Sequence, residues 1–227
     1  MRAVILAGGM GKRLRPLTND RPKPMIEICN LPIIEWQIKW LQKFGISEII
    51  ILVGHLKEKI MSHLGDGLKF GLNIRYIDEV KPLGTGGALK NAKNIILENG
   101  HSTFFVINGD ILTDINPLKL MQVGEHVIAL VPLRSTFGIV ETDQNMVSQF
   151  VEKPTISNKW INAGVYYFST DLFRYLPDIG NIEFTALPIL VKERKLMAFK
   201  YTESYWRSID SHKDVDEAND ELPLSMN

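Results

Sequence analysis

The segment between Gly8 and Thr18 concentrates groups suited to an anion. Gly8, Gly9 and Gly11 free the backbone to approach a phosphate closely and to turn N–H groups toward it. Lys12, Arg13 and Arg15 add three positive charges to the same turn. Two standard nucleotide fingerprints fail here. A P-loop needs Gly-x-x-x-x-Gly-Lys-Ser/Thr, but Arg13 follows Lys12 and Leu6 stands where the first glycine belongs. A dinucleotide fingerprint needs a third glycine, and Leu14 takes that place. A glycine turn alone also serves as a plain connector between a strand and a loop, but the clustered arginines have no such structural reading. Lys23 follows, with Pro22 and Pro24 fixing its backbone and disfavouring helix. A rigid lysine of this kind clamps phosphate, or stands solvated on its loop. Asn108-Gly109-Asp110 closes an apolar run and reads as a turn that also offers a carboxylate.

The elements around these residues must place them at one edge. Residues 2–6 are a buried strand running into glycines. Residues 32–44 carry apolar side chains at helical spacing and stop at Gly45. Further strands are expected at 48–53, 74–77 and 103–107, and further helices at 56–64 and 88–98. The strands are continuous apolar runs, the pattern of a parallel α/β sheet covered on both faces. Ligands of such sheets lie beyond the carboxyl ends of the strands. The second half reads differently. It has short strands at 127–131, 139–142, 147–151 and 165–168, helices at 183–194 and 211–220, and the aspect of a mixed-sheet lobe folded back on the first half. Residues 1–221 are expected to form a single domain, divided near residue 125, with residues 222–227 as a tail.

Composition narrows the class. The chain has 227 residues, 45% of them hydrophobic, which supports a substantial core. Lys+Arg and Asp+Glu are 26 each, a balance that argues against nucleic acid or an acidic membrane as partner. It leaves room for a local basic cleft and a small anionic substrate. The single cysteine, Cys29, excludes an internal disulfide and a multi-cysteine zinc site. The five histidines have no metal-ligand spacing. With neither a membrane span nor a signal peptide in the sequence, a cytoplasmic location is expected.

The motifs together are specific. The run from Gly8 through Arg13 and Pro16 to Thr18, then Pro22-Lys23-Pro24, then Pro32-Ile33-Ile34, resembles the signature of the sugar-1-phosphate nucleotidylyltransferases. The resemblance continues through Pro82-Leu83-Gly84-Thr85-Gly86-Gly87, Asn108-Gly109-Asp110, Gly138-Ile139-Val140-Glu141, Glu152-Lys153-Pro154, Asn162-Ala163-Gly164 and Trp206 to Asp210. It extends over residues 3–218, with the motifs in the family's order. It implies a Rossmann-like three-layer α/β/α fold with a mixed central sheet and a small sugar-binding lobe. It also implies transfer of a nucleotidyl group from a nucleoside triphosphate to a sugar 1-phosphate, releasing pyrophosphate.

The roles implied by the resemblance are these. Arg13 neutralises the β- and γ-phosphates, Lys23 clamps the reacting phosphates, and Asp110 and Asp210 hold Mg²⁺. Leu6, Ala7, Gly8, Gly9, Gly11 and Lys12 contact the nucleotide, as do Pro82, Gly84, Gly86 and Gly87. Gly138, Glu152, Lys153, Asn162 and Gly164 bind the sugar phosphate. Read alone, Glu152-Lys153 is equally a surface ion pair, and Asp114 is a rival carboxylate to Asp110. One departure stands out: Ser211-His212-Lys213-Asp214 follows Asp210, where the family has Gly or Thr-Gly. The chain stops at Asn227, so the β-helix domain carried by many relatives is expected to be absent.

Details around Cys29, Phe150 and Asn162 most resemble mannose-1-phosphate guanylyltransferases, which makes GTP and mannose 1-phosphate the favoured pair. Glucose-1-phosphate thymidylyl- or uridylyltransferases, manno-heptose-1-phosphate guanylyltransferases and N-acetylmuramate-1-phosphate uridylyltransferases share much of the pattern. A non-catalytic paralogue that binds nucleotide sugars is the alternative of another class, disfavoured by the presence of Arg13, Lys23, Asp110 and Asp210. A homo-oligomer is compatible with the sequence, which fixes no symmetry.

Overall fold

A computed structural model describes residues 1–225. In chain order its elements are β1 (Arg2–Ala7), β2 (Glu27–Ile28), β3 (Leu31–Pro32), α1 (Ile33–Lys43), β4 (Glu48–Val53), α2 (Lys57–Leu64) and β5 (Asn73–Asp78). Next come α3 (Gly84–Asn91), α4 (Lys93–Leu97), β6 (Thr103–Asn108), β7 (Ile111–Thr113), α5 (Leu118–Met121) and β8 (His126–Arg134). The last are β9 (Ile139–Asp143), β10 (Met146–Val151), β11 (Thr155–Ser169), α6 (Ala186–Lys192), β12 (Met197–Lys200), β13 (Trp206–Ser208) and α7 (His212–Ser225).

Seven strands form one sheet in the order β12-β8-β11-β6-β1-β4-β5. β1 lies parallel between β4 and β6, while β11 runs antiparallel to both β6 and β8. Continuous apolar runs fit this arrangement because both faces are covered. Ala3, Ile5, Ile49, Ile51, Phe105 and Ile107 pack with α1, α2 and α5 on one face. Val4, Ile50, Leu52, Phe104, Val106 and Tyr166 pack with α3, α4 and α6 on the other. The chain is thus a three-layer α/β/α structure with a mixed sheet. Each fully buried aliphatic side chain contributes about 1.5–3 kcal/mol relative to exposure.

A third, smaller apolar cluster matters more for function. Leu14, Ile26, Ile28, Ile33, Leu112 and Ile209 are buried together with Ala218 and Leu222 of α7. It joins the glycine-rich turn, the β2 region, the start of α1, β7 and the last helix.

Four expectations change. The helix predicted over 88–98 begins at Gly84 and breaks at Ala92. A Gly-Thr-Gly-Gly start is a poor helix former, but the Gly180 carbonyl accepts from both Gly86 N and Gly87 N, so two orphan donors of the first turn are capped by a distant segment. The strand predicted at 165–168 starts at Thr155, because its polar first half continues the ladder with β8 through two register shifts. The second half is not a separate sheet: β8, β11 and β12 complete the central one, and only the strands near 139–142 and 147–151 stand apart, as the β9–β10 hairpin. At the end of the chain, α7 continues through Ser225, past the expected start of the tail; Met226 and Asn227 lie outside the described residues. Among the described residues, no helix is long and apolar enough to cross a membrane.

Candidate active site

The site lies where β1, β4 and β6 end. Glycines let these ends crowd together. A Cβ on Gly109 would stand 2.5 Å from the Leu6 carbonyl oxygen, which accepts a hydrogen bond from Gly109 N at 3.0 Å. That contact holds the Asn108-Gly109-Asp110 turn against the end of β1. The glycine-rich turn then folds back on itself. Gly11 has φ +59°, and its carbonyl accepts from Thr18 Oγ1 at 2.9 Å.

Four charged side chains meet at this edge. Lys23 Nζ lies 2.7 Å from Asp110 Oδ2 and 2.9 Å from Asp210 Oδ1. Arg13 reaches the same Asp210 oxygen at 2.7 Å. The third apolar cluster explains the meeting, since Leu14 adjoins Arg13, Leu112 lies two residues from Asp110, and Ile209 adjoins Asp210. Burial alone would raise the Asp210 pKa, but hydrogen bonds from Lys23 and Ser208 and the charges of Lys23 and Arg13 hold it below the ordinary carboxylate value. The departure after Asp210 forms a capping box. Ser211 N donates to Asp214 Oδ2 at 2.7 Å, and Asp214 N donates to Ser211 Oγ at 3.3 Å. Asp214 Oδ2 also accepts from Asp210 N at 3.0 Å, so this substitute for the family's glycine fixes the turn carrying Asp210. Asp114 instead is tied to Tyr205 through its backbone, and burial raises its pKa.

A cleft of about 310 Å³ opens beside this cluster. Leu6, Ala7, Gly8, Gly9, Pro82 and Gly84 line it, as do Lys23 and Asp110. Of the other residues expected at the nucleotide, Lys12 and Arg13 are exposed on the turn, and Gly11 supplies its bend. Gly86 and Gly87 serve a different purpose. Their amides are taken by Gly180, and a Cβ on either would strike Pro177 or Asp178. The glycines of this loop admit a neighbouring protein segment.

The residues expected at the sugar phosphate fall into two groups. Gly164 has φ +69°, and a Cβ there would lie 2.8 Å from Nδ2 of the cleft residue Asn108. Asn162 adjoins it, donating to Tyr166 OH at 2.7 Å and accepting from Gly164 N at 3.0 Å. Gly138, Glu152 and Lys153 sit around the exposed β9–β10 hairpin and do not line the cleft. A Cβ on Gly138 would press on Phe150 and Glu152, and Lys153 pairs with Glu152 at 4.0 Å.

Two lining residues escaped the sequence reading. Glu79 follows the end of β5 and accepts from Leu83 N at 3.1 Å, with Oε1 packed against Gly8. Burial raises its pKa, opposed by the Leu83 N–H. Its position just past a strand's carboxyl end was a usable signal. Asn181 comes from the second half and carried no signal, because only the fold brings it to the cleft.

The donor set bears on metal binding. Asp110 and Asp210 converge on a single cation, Lys23 Nζ, and offer hard oxygen donors. Mg²⁺ is commonly held by one or two carboxylates completed by substrate phosphates and water, so the pair fits it. Among the described residues, no group of three or more His, Cys, Asp or Glu side chains is arranged for a metal.

Residues 2–223 match the family described as Nucleotidyl transferase. The mannose-1-phosphate guanylyltransferase catalytic subunit beta of Danio rerio is 36% identical, over 94% of this chain and 62% of that protein. The mannose-1-phosphate guanyltransferase of Eremothecium gossypii is also 36% identical, with the same coverage. The chain therefore spans about 62% of the length of these curated relatives. The solved structure of HddC from Yersinia pseudotuberculosis complexed with GMP-PN is 29% identical, with a TM-score of 0.76, covering 97% of this chain and 99% of that one. A putative glucose-1-phosphate thymidylyltransferase from Bacillus anthracis, at 23% identity and a TM-score of 0.77, shares the fold; the match covers 97% of this chain and 94% of that one.

Proposed function

Because the chain belongs to the nucleotidyl transferase family, we propose that it transfers a nucleotidyl group from a nucleoside triphosphate to a sugar 1-phosphate, with GTP and mannose 1-phosphate as the pair. The observation that carries this reading is the convergence of Lys23 on Asp110 and Asp210, with Arg13 alongside, at the rim of a cleft formed by strand ends.

In this reaction an oxygen of the sugar phosphate attacks the α-phosphorus. The bond from that phosphorus to the leaving pyrophosphate breaks, and its electron pair goes to the pyrophosphate oxygen. No protein nucleophile is needed; alignment of two polyanions and neutralisation of the growing charge carry the catalysis. Lys23, mostly buried, is placed to neutralise the reacting phosphates. Arg13, with a largely exposed side chain on the glycine-rich turn, would neutralise the leaving pyrophosphate. Asp110 and Asp210 would hold Mg²⁺, which supplies further charge neutralisation at the phosphates when bound.

Two features support guanine. The two curated relatives named above, each 36% identical, are mannose-1-phosphate guanylyl transferases, and the HddC structure was solved with GMP-PN. Glu79 also presents carboxylate oxygens beside Gly8, and guanine offers two neighbouring donors, N1–H and N2–H₂, to such an acceptor. Uracil and thymine instead turn a carbonyl oxygen toward it.

Pyrophosphate release tests the proposal, with five nucleoside triphosphates crossed against several sugar 1-phosphates in Mg²⁺. GTP with mannose 1-phosphate should give the highest kcat/KM, and Asp110→Ala should abolish it. Purified, folded protein that turns over no pair would sink the transferase reading, and a strong preference for UTP or dTTP would sink the guanine assignment.

A further inference from the structure

The cleft is closed on one side by a segment that the nucleotide motifs do not include. Residues 178–183 dock on the Leu83–Gly87 loop through a dense set of bonds. Gly86 N and Gly87 N donate to Gly180 O at 2.9 and 3.1 Å, and Gly180 N donates back to Leu83 O at 2.8 Å. Thr85 Oγ1 donates to Glu183 at 2.9 Å and accepts from Ile182 N at 2.9 Å. Thr85 N donates to Asn181 Oδ1 at 3.1 Å. The docking is close: a Cβ on Gly84 would stand 2.6 Å from Asn181 Oδ1 and 2.8 Å from Gly180.

These bonds fix which way the Asn181 amide points. The Thr85 N–H is a donor, so the atom facing it must be the carbonyl oxygen. The amino end, Nδ2, has no partner among the described residues, and Asn181 lines the cleft. The same cleft holds the Glu79 carboxylate, itself anchored on Leu83 N. One loop thus anchors Glu79, an acceptor, and Asn181, whose amide keeps a free donor, and both residues line the cleft.

We infer that Asn181 is a specificity-determining residue whose Nδ2 donates to the exocyclic oxygen of the base, selecting keto bases over amino bases. This rests on the nucleotide site proposed above. Guanine, uracil and thymine each place a ring N–H beside a carbonyl oxygen, which matches a carboxylate beside an amide N–H. Adenine and cytosine reverse both groups, setting an amino group against Nδ2 and a ring nitrogen lone pair against the carboxylate. The two residues act together. Glu79 separates guanine from the other keto bases, and Asn181 adds its donor to the separation of keto from amino.

The test is equilibrium binding of GDP, UDP, ADP and CDP, in Mg²⁺, to wild type and to Asn181→Asp. The substitution retains an oxygen for Thr85 N–H but replaces the free donor with an acceptor. Its added negative charge weakens all four ligands alike and cancels in ratios. The GDP/ADP and UDP/CDP affinity ratios should each fall by about tenfold or more, the scale of one lost and one opposed hydrogen bond. Asn181→Ser, which has no amide N–H to donate, should lower both ratios by a smaller factor and serves if the first variant fails to fold. Ratios unchanged in the folded variants would overturn the inference while leaving the transferase reading intact, as would a wild type that favours ADP or CDP. A wild type that prefers UDP to GDP, and whose UDP/CDP and GDP/ADP ratios fall in Asn181→Asp, would support the inference and overturn only the guanine assignment. Wild type that binds none of the four would overturn the nucleotide site itself.

Discussion

Lys23 and Lys153 are both expected at phosphates, yet their surroundings are opposite. Lys23 has only 12% of its side chain exposed and bridges two carboxylates, one from each half of the chain. Lys153 has 48% exposed and faces Glu152 at 4.0 Å, beside a hairpin whose two strands are exposed along their whole length. The first environment is a preassembled electrostatic centre, backed by its own apolar cluster. The second is a two-stranded ribbon with little packing on either face, marginal by itself in water. The contrast separates residues whose geometry is set before a ligand arrives from residues whose geometry the ligand must help to set.

Experiments can break that contrast, beginning with the largest effect. Lys23→Met removes the bridge and should lower kcat by about 10³-fold, measured as pyrophosphate release, with circular dichroism unchanged. A drop of only a few-fold would place the essential charge elsewhere. Leu14→Ala opens a void in the apolar cluster behind Arg13 and should cost about 2–4 kcal/mol in urea unfolding. Its activity loss should exceed that of a core change of equal cost remote from the site, such as Leu64→Ala. On the hairpin, Lys153→Met should raise KM for the sugar phosphate by about tenfold and leave stability within about 0.5 kcal/mol. A large stability loss there would show that the hairpin is packed after all.

The smallest effect concerns acid. The Asp210 pKa is lowered in the folded chain, so its contribution is fully present above the unfolded value. It is lost as pH falls below the ordinary Asp range of about 4 and through the lower folded value. The urea-midpoint difference between wild type and Asp210→Asn should therefore be flat near neutrality and shrink at lower pH. A difference that grew on acidification would contradict the assigned direction.

The sequence exposed what local pattern encodes. The runs at 2–6 and 48–53 predict β1 and β4 closely, because strands covered on both faces are apolar at every position. It concealed what depends on distant contacts. Gly84 begins a helix only because Gly180 caps it, and Asn181 reaches the cleft through the same docking. Thr155 begins a long strand whose polar start has no periodic signal. The gathering of charge at one edge was legible in residue type at Arg13, Lys23 and Asp110, since charged side chains beside glycine and proline have few structural uses. The place of Glu79 in the cleft was legible only in its position past a strand's carboxyl end, since a lone glutamate there is ordinary until its neighbours are known.

The last helix bears on the order of synthesis. Ala218 and Leu222 complete the apolar cluster behind Arg13, Lys23, Asp110 and Asp210. On the ribosome, the parallel strands can emerge and pair early, but the charged centre lacks its backing until residue 222 has cleared the exit tunnel. The nascent chain therefore carries paired parallel strands and an unformed site until residues 218–222 have emerged. Stalled chains should acquire nucleotide binding only once α7 is free, and binding by chains stalled before residue 211 would refute that order.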